Sequence, residues 1–286
     1  MARANMAPRL AARATEPSTG GEQKPEFGDP YLTWLDEEKW QGDTRELREG
    51  RYLHQQAALR EAFEGSDYWN EVATKLSEWA ECYWKESGAP LFQATPTLPR
   101  LASKPWQSFL NRTWRENVRN NQNWPDPPEG GWWLPDNWFE RAWDAVRTRF
   151  VVRYMDGVRV VSTGLVRLAE EAGLEARCEA EAKQDGYWAF HTNIRQPFEV
   201  VALDYEGTQE RSSEVEIQVM TQLAEVISEL THTYYEARRV NPPSETPVVW
   251  DEDSPEADAI GLSYQSREVD RRLLQLRRKV RSLNDG

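Results

Sequence analysis

The 286-residue chain is poor in the residues from which metal centres and disulfide frameworks are built. Two cysteines, Cys82 and Cys178, are too few for a disulfide scaffold or a four-thiolate zinc site. Three histidines, His54, His191 and His232, argue against a histidine-rich metal centre. So little cysteine makes a reduced, cytoplasmic setting the expectation. No stretch approaches the ~18 consecutive apolar residues of a membrane-spanning helix, so no membrane partner is expected. Positive charge is also short. There are 35 basic against 48 acidic groups, a net charge of −13. That argues against a broad nucleic-acid footprint but leaves room for a local basic groove. Only seven of the basic residues are lysine, so a lysine at a constrained place is informative.

Tryptophan, by contrast, is abundant, with 14 residues. Each buried indole contributes a large apolar area, so the mean hydropathy of −0.81 understates the core. Residues 1–29 are rich in Ala, Arg, Pro, Gly and Ser without periodicity and read as an unstructured start. Arg3, Arg9 and Arg13 with no acid among them resemble a transit peptide, but an ordinary floppy start is preferred. Residues 30–99 read as a helical extension, 100–240 as the main domain, and 241–286 as a loop followed by a basic helix.

The periodicity predicts a helix over 46–63 and a second opening near Ser66. The second carries Trp69, Val72, Leu76, Trp79, Ala80 and Tyr83 as an apolar stripe, with Gly88 as its stop. Pro90, Pro96 and Pro99 mark a linker, and a helix is expected over 105–118. The segment 120–137 holds four prolines and two glycines and cannot be regular. A helix over 137–145, a strand over 149–154, a helix over 158–172 and a strand over 174–182 follow. Further strands are expected at 188–195, 198–205 and 213–219, then a helix over 221–239. Adjacent strands favour an α+β fold: a mixed sheet of about five strands flanked by helices. The tail, 263–283, reads as a basic helix with Leu273, Leu276, Val280 and Leu283 on one face.

Three clusters carry chemistry. Lys104, Ser108 and Arg112 recur at steps of four, which on a helix would line up an ammonium, a hydroxyl and a guanidinium toward a polyphosphate. A solvated basic face is the ordinary alternative. Asp144 with Arg147 and Arg149 lies at the margin of an apolar strand, a position suited to a magnesium ligand or to a plain salt bridge. The third cluster is KQDGYWAFH, Lys183 to His191, followed by EVEIQVMT, Glu214 to Thr221. Alternation there puts Val215, Ile217 and Val219 on one face and Glu214, Glu216 and Gln218 on the other. Carboxylates on a sheet face bind metal or take a proton; solvent-facing polarity is the commoner case.

Taken in order, K-x3-S-x3-R, D-x4-R before an apolar strand, K-x-D-G-Y-x3-H and E-I-Q-x2-T before a helix resemble the synthetase domain of RelA/SpoT-type alarmone synthetases. The resemblance covers about residues 100–239, with GYWAFH and VEIQVMT its specific pieces. It implies a nucleotidyltransferase-like synthetase fold on which Mg²⁺ and ATP sit, and transfer of a pyrophosphoryl group to the 3′-hydroxyl of GDP or GTP. By match, Asp144 and Glu216 would be catalytic and ligate the magnesium. Lys104, Ser108, Arg112, Arg149 and Lys183 would bind ATP and its phosphates, and Tyr187, His191 and Gln218 the acceptor. The chain departs from the family pattern at Arg147 (glycine), Asp185 (asparagine), and Trp188, Met220 and Ala102 (arginine), which bears on acceptor identity. One histidine in residues 1–99 and a short stretch after Arg239 make a hydrolase domain and ribosome-associated regulatory domains unexpected. Two other readings remain. One is a toxic relative that modifies the tRNA 3′ end or makes an adenosine alarmone, with an antitoxin as partner. The other is a degenerate, non-enzymatic nucleotide-binding module. Self-association through the tail helix is a further expectation.

Overall fold

A computed structural model describes residues 23–40, 44–182, 188–202, 207–240 and 255–284. The N-terminal part is helical: α1 (Asp29–Trp34, extended by a π-turn Leu35–Lys39), α2 (Arg45–Glu64) and α3 (Asp67–Ser87). Side-chain caps start the two long helices. Thr44 Oγ1 accepts from Leu47 N at 3.3 Å, and Ser66 Oγ from Trp69 N at 3.2 Å. Gly88 ends α3 in the left-handed conformation at φ 67°. The stripe on α3 is buried as its spacing predicts, through Trp69, Val72, Leu76, Trp79 and Tyr83.

Then come β1 (Ala102–Ser103), α4 (Trp106–Trp114, extended by a π-turn Arg115–Arg119), α5 (Trp138–Arg141), β2 (Val146–Val152), α6 (Met155–Glu171), β3 (Ala176–Ala182), β4 (Trp188–Val201), β5 (Thr208–Thr221), α7 (Gln222–Val240) and α8 (Pro255–Asn284). The strands form one sheet in the order β1-β2-β5-β4-β3. β2 and β5 run parallel; the other neighbours are antiparallel. This is the mixed five-stranded α+β architecture expected. Alternation divides the sheet. Val146, Phe150, Val152, Ile194, Val215, Ile217 and Val219 face the core shared with α3 and α6. The odd positions of β2 and β4 and the even positions of β5 form the opposite, polar face.

Several boundaries differ from expectation. The strands expected at 188–195 and 198–205 are one 14-residue strand, β4. Pro197 is tolerated because β3 runs out at Ile194, so β4 has a strand neighbour on one side only there. β2 begins three residues before its expected start, and the helix before it shrinks to four residues. Residues 23–28, expected to be unstructured, pack on α4: Trp114 Nε1 donates to Pro25 O at 2.9 Å, and Lys24 Nζ to Asn121 O at 2.8 Å. Residues 1–22 and 241–254 lie outside the described residues. The segment 120–137 is irregular yet well pinned. Asn117 exchanges two hydrogen bonds with the Trp133 backbone (2.8 and 2.9 Å), and Trp124 and Trp132 meet Trp34 at 5.5 and 5.2 Å.

The large apolar residues of α8 do not face inward. Leu273, Leu276, Val280 and Leu283 are exposed, and the buried face is Ala259, Ser263, Ser266, Asp270 and Leu274. Small residues let α8 come close to α7, and its hydroxyls bond back to their own helix carbonyls. Asp270 accepts from Thr221 Oγ1 at the end of β5, and Arg277 pairs with Asp156 of α6.

Two predictions follow from this packing. A Cβ at Gly164 of α6 would lie 2.5 Å from the Trp79 ring. Gly164→Ala is therefore expected to lower stability by about 1–3 kcal/mol, outweighing the ~1 kcal/mol that alanine normally brings to a helix interior; a raised Tm would overturn this. Burial, opposed by the Thr221 hydrogen bond, pushes the Asp270 carboxyl up to about 6. A raised folded-state pKa means the carboxyl's contribution is full below the unfolded value near 4 and is lost as pH rises through about 6. Asp270→Asn should raise Tm relative to the parent at pH 7.5 and leave it nearly unchanged at pH 4, measured by calorimetry.

Candidate active site

The site begins where β1 and β2 meet. Lys104 N donates to Ala145 O at 3.0 Å, continuing the strand pairing by one residue. Tyr52 and Gln56 of α2 close the remaining carbonyls. Tyr52 Oη and Gln56 Nε2 donate to Lys104 O at 2.8 and 2.9 Å, and Gln56 Nε2 also to Ala145 O at 2.7 Å. This corrects the helical reading of Lys104. It lies one residue ahead of Pro105, the cap of α4, at the end of a strand. Ser108 and Arg112 are on α4 as expected, Ser108 half-buried and Arg112 buried.

What the helical spacing was meant to achieve, the fold achieves differently. Lys104 Nζ lies 2.5 Å from Asp144 Oδ2, and Arg112 Nη1 lies 2.9 Å from Oδ1. All three residues are nearly out of solvent, at 7%, 6% and 9% exposure. Burial alone would push the Asp144 carboxyl up. The charges of Arg112, Lys104 and Arg147 and the Lys104 hydrogen bond outweigh it and hold the carboxyl at about 2. Burial pulls the Lys104 ammonium below its ordinary value, against the pull of Asp144. Two desolvated cations thus share one carboxylate. Asp144 Oδ1 and Arg112 Nε are both buried and accept or donate no hydrogen bond.

A second group lies on the polar face of the sheet. In the parallel pair, Arg147 stands beside Glu216 and Arg149 beside Gln218; across β4, His191 opposes Gln218 and Asn193 opposes Glu216. Glu216 is 4% exposed, so this face is not the solvent-facing one that plain alternation suggests. His191 Nδ1 is 2.7 Å from Glu216 Oε1, and Gln218 Nε2 donates to Glu216 Oε2 at 2.9 Å. His191 Nε2 is 2.9 Å from Glu181 Oε2. Burial pulls the imidazole down, but its hydrogen bonds to Glu181 and Glu216 and their charges prevail and raise it to about 9, so it is an imidazolium at neutral pH. Arg149 Nη2 reaches Gln218 Oε1 at 3.5 Å and Nη1 lies 3.9 Å from Glu225.

Of the residues singled out by sequence, the fold joins Lys104, Arg112 and Asp144 in one group and Arg149, His191, Glu216 and Gln218 in another. Arg147 connects them, acting on Asp144 by its charge and lying in register with Glu216. Lys183 and Tyr187 lie outside the described residues. Among the described residues, no three His, Cys, Asp or Glu side chains gather as a metal cluster. Sequence reasoning passed over Glu181, Asn193 and Arg177, whose side chains join the polar face; the alternation Arg177, Glu179, Glu181 in β3 was the available signal. It also passed over Trp143, which packs against Arg112 with the guanidinium 3.5 Å from the ring centroid.

Solved structures share the fold. Small alarmone synthetase 1 of Bacillus subtilis superposes with a TM-score of 0.51 at 15% identity, over 82% of this chain and 99% of the other. The chain has the fold of the small alarmone synthetases. The same Bacillus subtilis protein bound to its product pppGpp gives a TM-score of 0.50 at 16% identity, over 81% and 99% of the two chains. No protein-family model matches the chain, and no curated protein matches it. Within this synthetase fold, two of the departures from the family pattern are neighbours. Met220 is fully buried in a small apolar cluster with Ala189 and Ala224, and Trp188 packs on it.

The shared carboxylate sets a prediction. Asp144→Asn would leave Lys104 and Arg112 buried without a counter-charge, which is expected to cost about 3–5 kcal/mol in urea unfolding at pH 7. A loss below ~1 kcal/mol would show that the two cations find solvent or another partner.

Proposed function

We propose that the protein is a pyrophosphokinase that moves the β,γ-pyrophosphoryl group of ATP to the 3′-hydroxyl of a guanosine nucleotide, GDP or GTP. The observation that carries this reading is the pair of buried cations, Lys104 and Arg112, on one buried carboxylate, with Arg147 adding a third positive charge. Excess positive charge in a desolvated place favours a polyanion, and Arg112 Nε is a buried donor still to be used. The fold likeness to a synthetase captured with pppGpp supports the same class of substrate.

Pyrophosphoryl transfer asks for in-line positioning and charge over the phosphate oxygens rather than covalent help. In this reading Lys104 and Arg112 hold ATP phosphates, and Arg149 and Lys183 complete the grip. Asp144 and Glu216 fit a magnesium ion as donors: both offer hard carboxylate oxygen, and Asp144 is ionised, its Oδ1 held by Arg112 as an ion pair alone. The ion would neutralise charge on the transferred group. Glu216, oriented by His191 and Gln218, takes the proton of the acceptor hydroxyl, and the His191 imidazolium adds positive charge on the acceptor side. Tyr187, by its place in the K-x-D-G-Y motif, is assigned to the acceptor.

No observation favours an RNA acceptor on the basic tail. Arg271 and Arg272 pair with Glu268, and Arg277 with Asp156. The test is incubation of the full chain with labelled ATP and, separately, GDP, GTP, ATP alone and bulk tRNA, following AMP release and the product. Transfer to GDP or GTP is expected. Glu216→Gln should cut it by about 10²–10³ with the fold intact by circular dichroism. Transfer to tRNA alone, or none to any acceptor, overturns the reading.

A further inference from the structure

The tryptophan-rich segment reaches the site through a stack of alternating cations and rings. The Arg141 guanidinium lies 4.8 Å from the Trp133 ring, Arg112 lies 5.5 Å from Trp133 and 3.5 Å from Trp143, and Arg177 lies 5.9 Å from Trp143. Trp133 and Trp143 meet edge to face at 6.4 Å. Trp133 belongs to the irregular segment 120–137 and is fixed at both backbone groups by Asn117. Trp143 immediately precedes Asp144.

Arg112 needs such support. Its contact with Asp144 is a single ion pair, and its Nε has no hydrogen bond, so carboxylate contact alone does not fix the plane of the guanidinium. A ring face does fix it, because cation–π and stacking contacts hold the guanidinium flat while leaving its N–H edge open. Lys104 at 2.5 Å already pairs with Asp144, so Arg112 is the cation that can exchange its counter-ion while remaining stacked.

We propose that Trp143, backed by Trp133, is a positioning residue: it holds the Arg112 guanidinium in plane so that its N–H edge passes from Asp144 to an incoming phosphate without leaving the ring. The tryptophan-rich segment is then a buttress of the phosphate site. This rests on the reading of Arg112 as a phosphate-binding residue given above. It goes beyond that reading in assigning the fixed plane of Arg112 to two indoles from outside the motifs.

The experiment uses the full chain and the ATP analogue with a methylene group between its α and β phosphorus atoms, measured by titration calorimetry. Trp143→Leu is expected to weaken analogue binding about ten-fold, and Trp143→Phe, which keeps a ring, only two- to three-fold. In an Arg112→Ala background, Trp143→Leu should cost almost nothing further, since its effect runs through Arg112. Equal losses in both backgrounds would mean that Trp143 acts only as core packing, and the proposal fails. Unchanged binding in Trp143→Leu would also end it. Should the parent itself bind no analogue, the phosphate-site reading fails first, a result distinguishable from either. Trp143→Phe keeps the test decisive if the leucine variant does not fold.

Discussion

One buried carboxylate ties a strand end and a helix together. Asp144 takes Lys104 from the end of β1 and Arg112 from the last turn of α4, and thereby fixes where that helix sits against the sheet. Charges removed from water must be met where they are, so neither cation can drift without a large penalty. α2 completes the arrangement from behind, closing the carbonyls of Lys104 and Ala145 with Tyr52 and Gln56. The result is a preorganised, buried cluster of positive charge. That is the form of assistance phosphoryl-type chemistry uses most.

The sheet separates stability from chemistry by alternation. One face supplies Phe150, Ile194, Val215, Ile217 and Val219 to the core; the other carries the charged residues. The parallel pairing of β2 with β5 is what brings Arg147 and Arg149 alongside Glu216 and Gln218. Charges there are paired in a chain from Arg149 through Gln218 and Glu216 to His191 and Glu181. Such a network orients its members, because each group's free lone pairs and protons are restricted by its neighbour. The apolar cluster of Met220 with Ala189 and Ala224, joined by Trp188, closes one side of this face where the family pattern carries basic residues.

Much of this was legible beforehand where local rules suffice. The α3 stripe with its Ser66 cap and Gly88 stop is a three-and-four spacing with standard ends, and it formed as read. The alternation of VEIQV placed Glu216 and Gln218 together correctly, but not their burial, which depends on His191 from another strand. The strands expected at 188–195 and 198–205 are one, because whether a strand has one neighbour or two is not written in its own residues. On α8 the spacing grouped Leu273, Leu276, Val280 and Leu283 on one face, but which face is buried was decided by packing: Ala259, Ser263, Ser266 and Asp270 lie inside, and Asp270 bonds to Thr221.

Local pattern and the order of motifs by themselves determined the mixed α+β class, most of the helices, and which polar residues share one face of β5. These depend on interactions within a few residues, and periodicity records them. Tertiary structure alone decided that Lys104 leaves the helix to meet Asp144 from a strand end, and that the indoles of Trp133 and Trp143 flank Arg112. The reason is desolvation. Which distant cation answers a buried carboxylate, and which ring steadies it, follows from the packing that excludes water around them, and that exists only once the chain has folded.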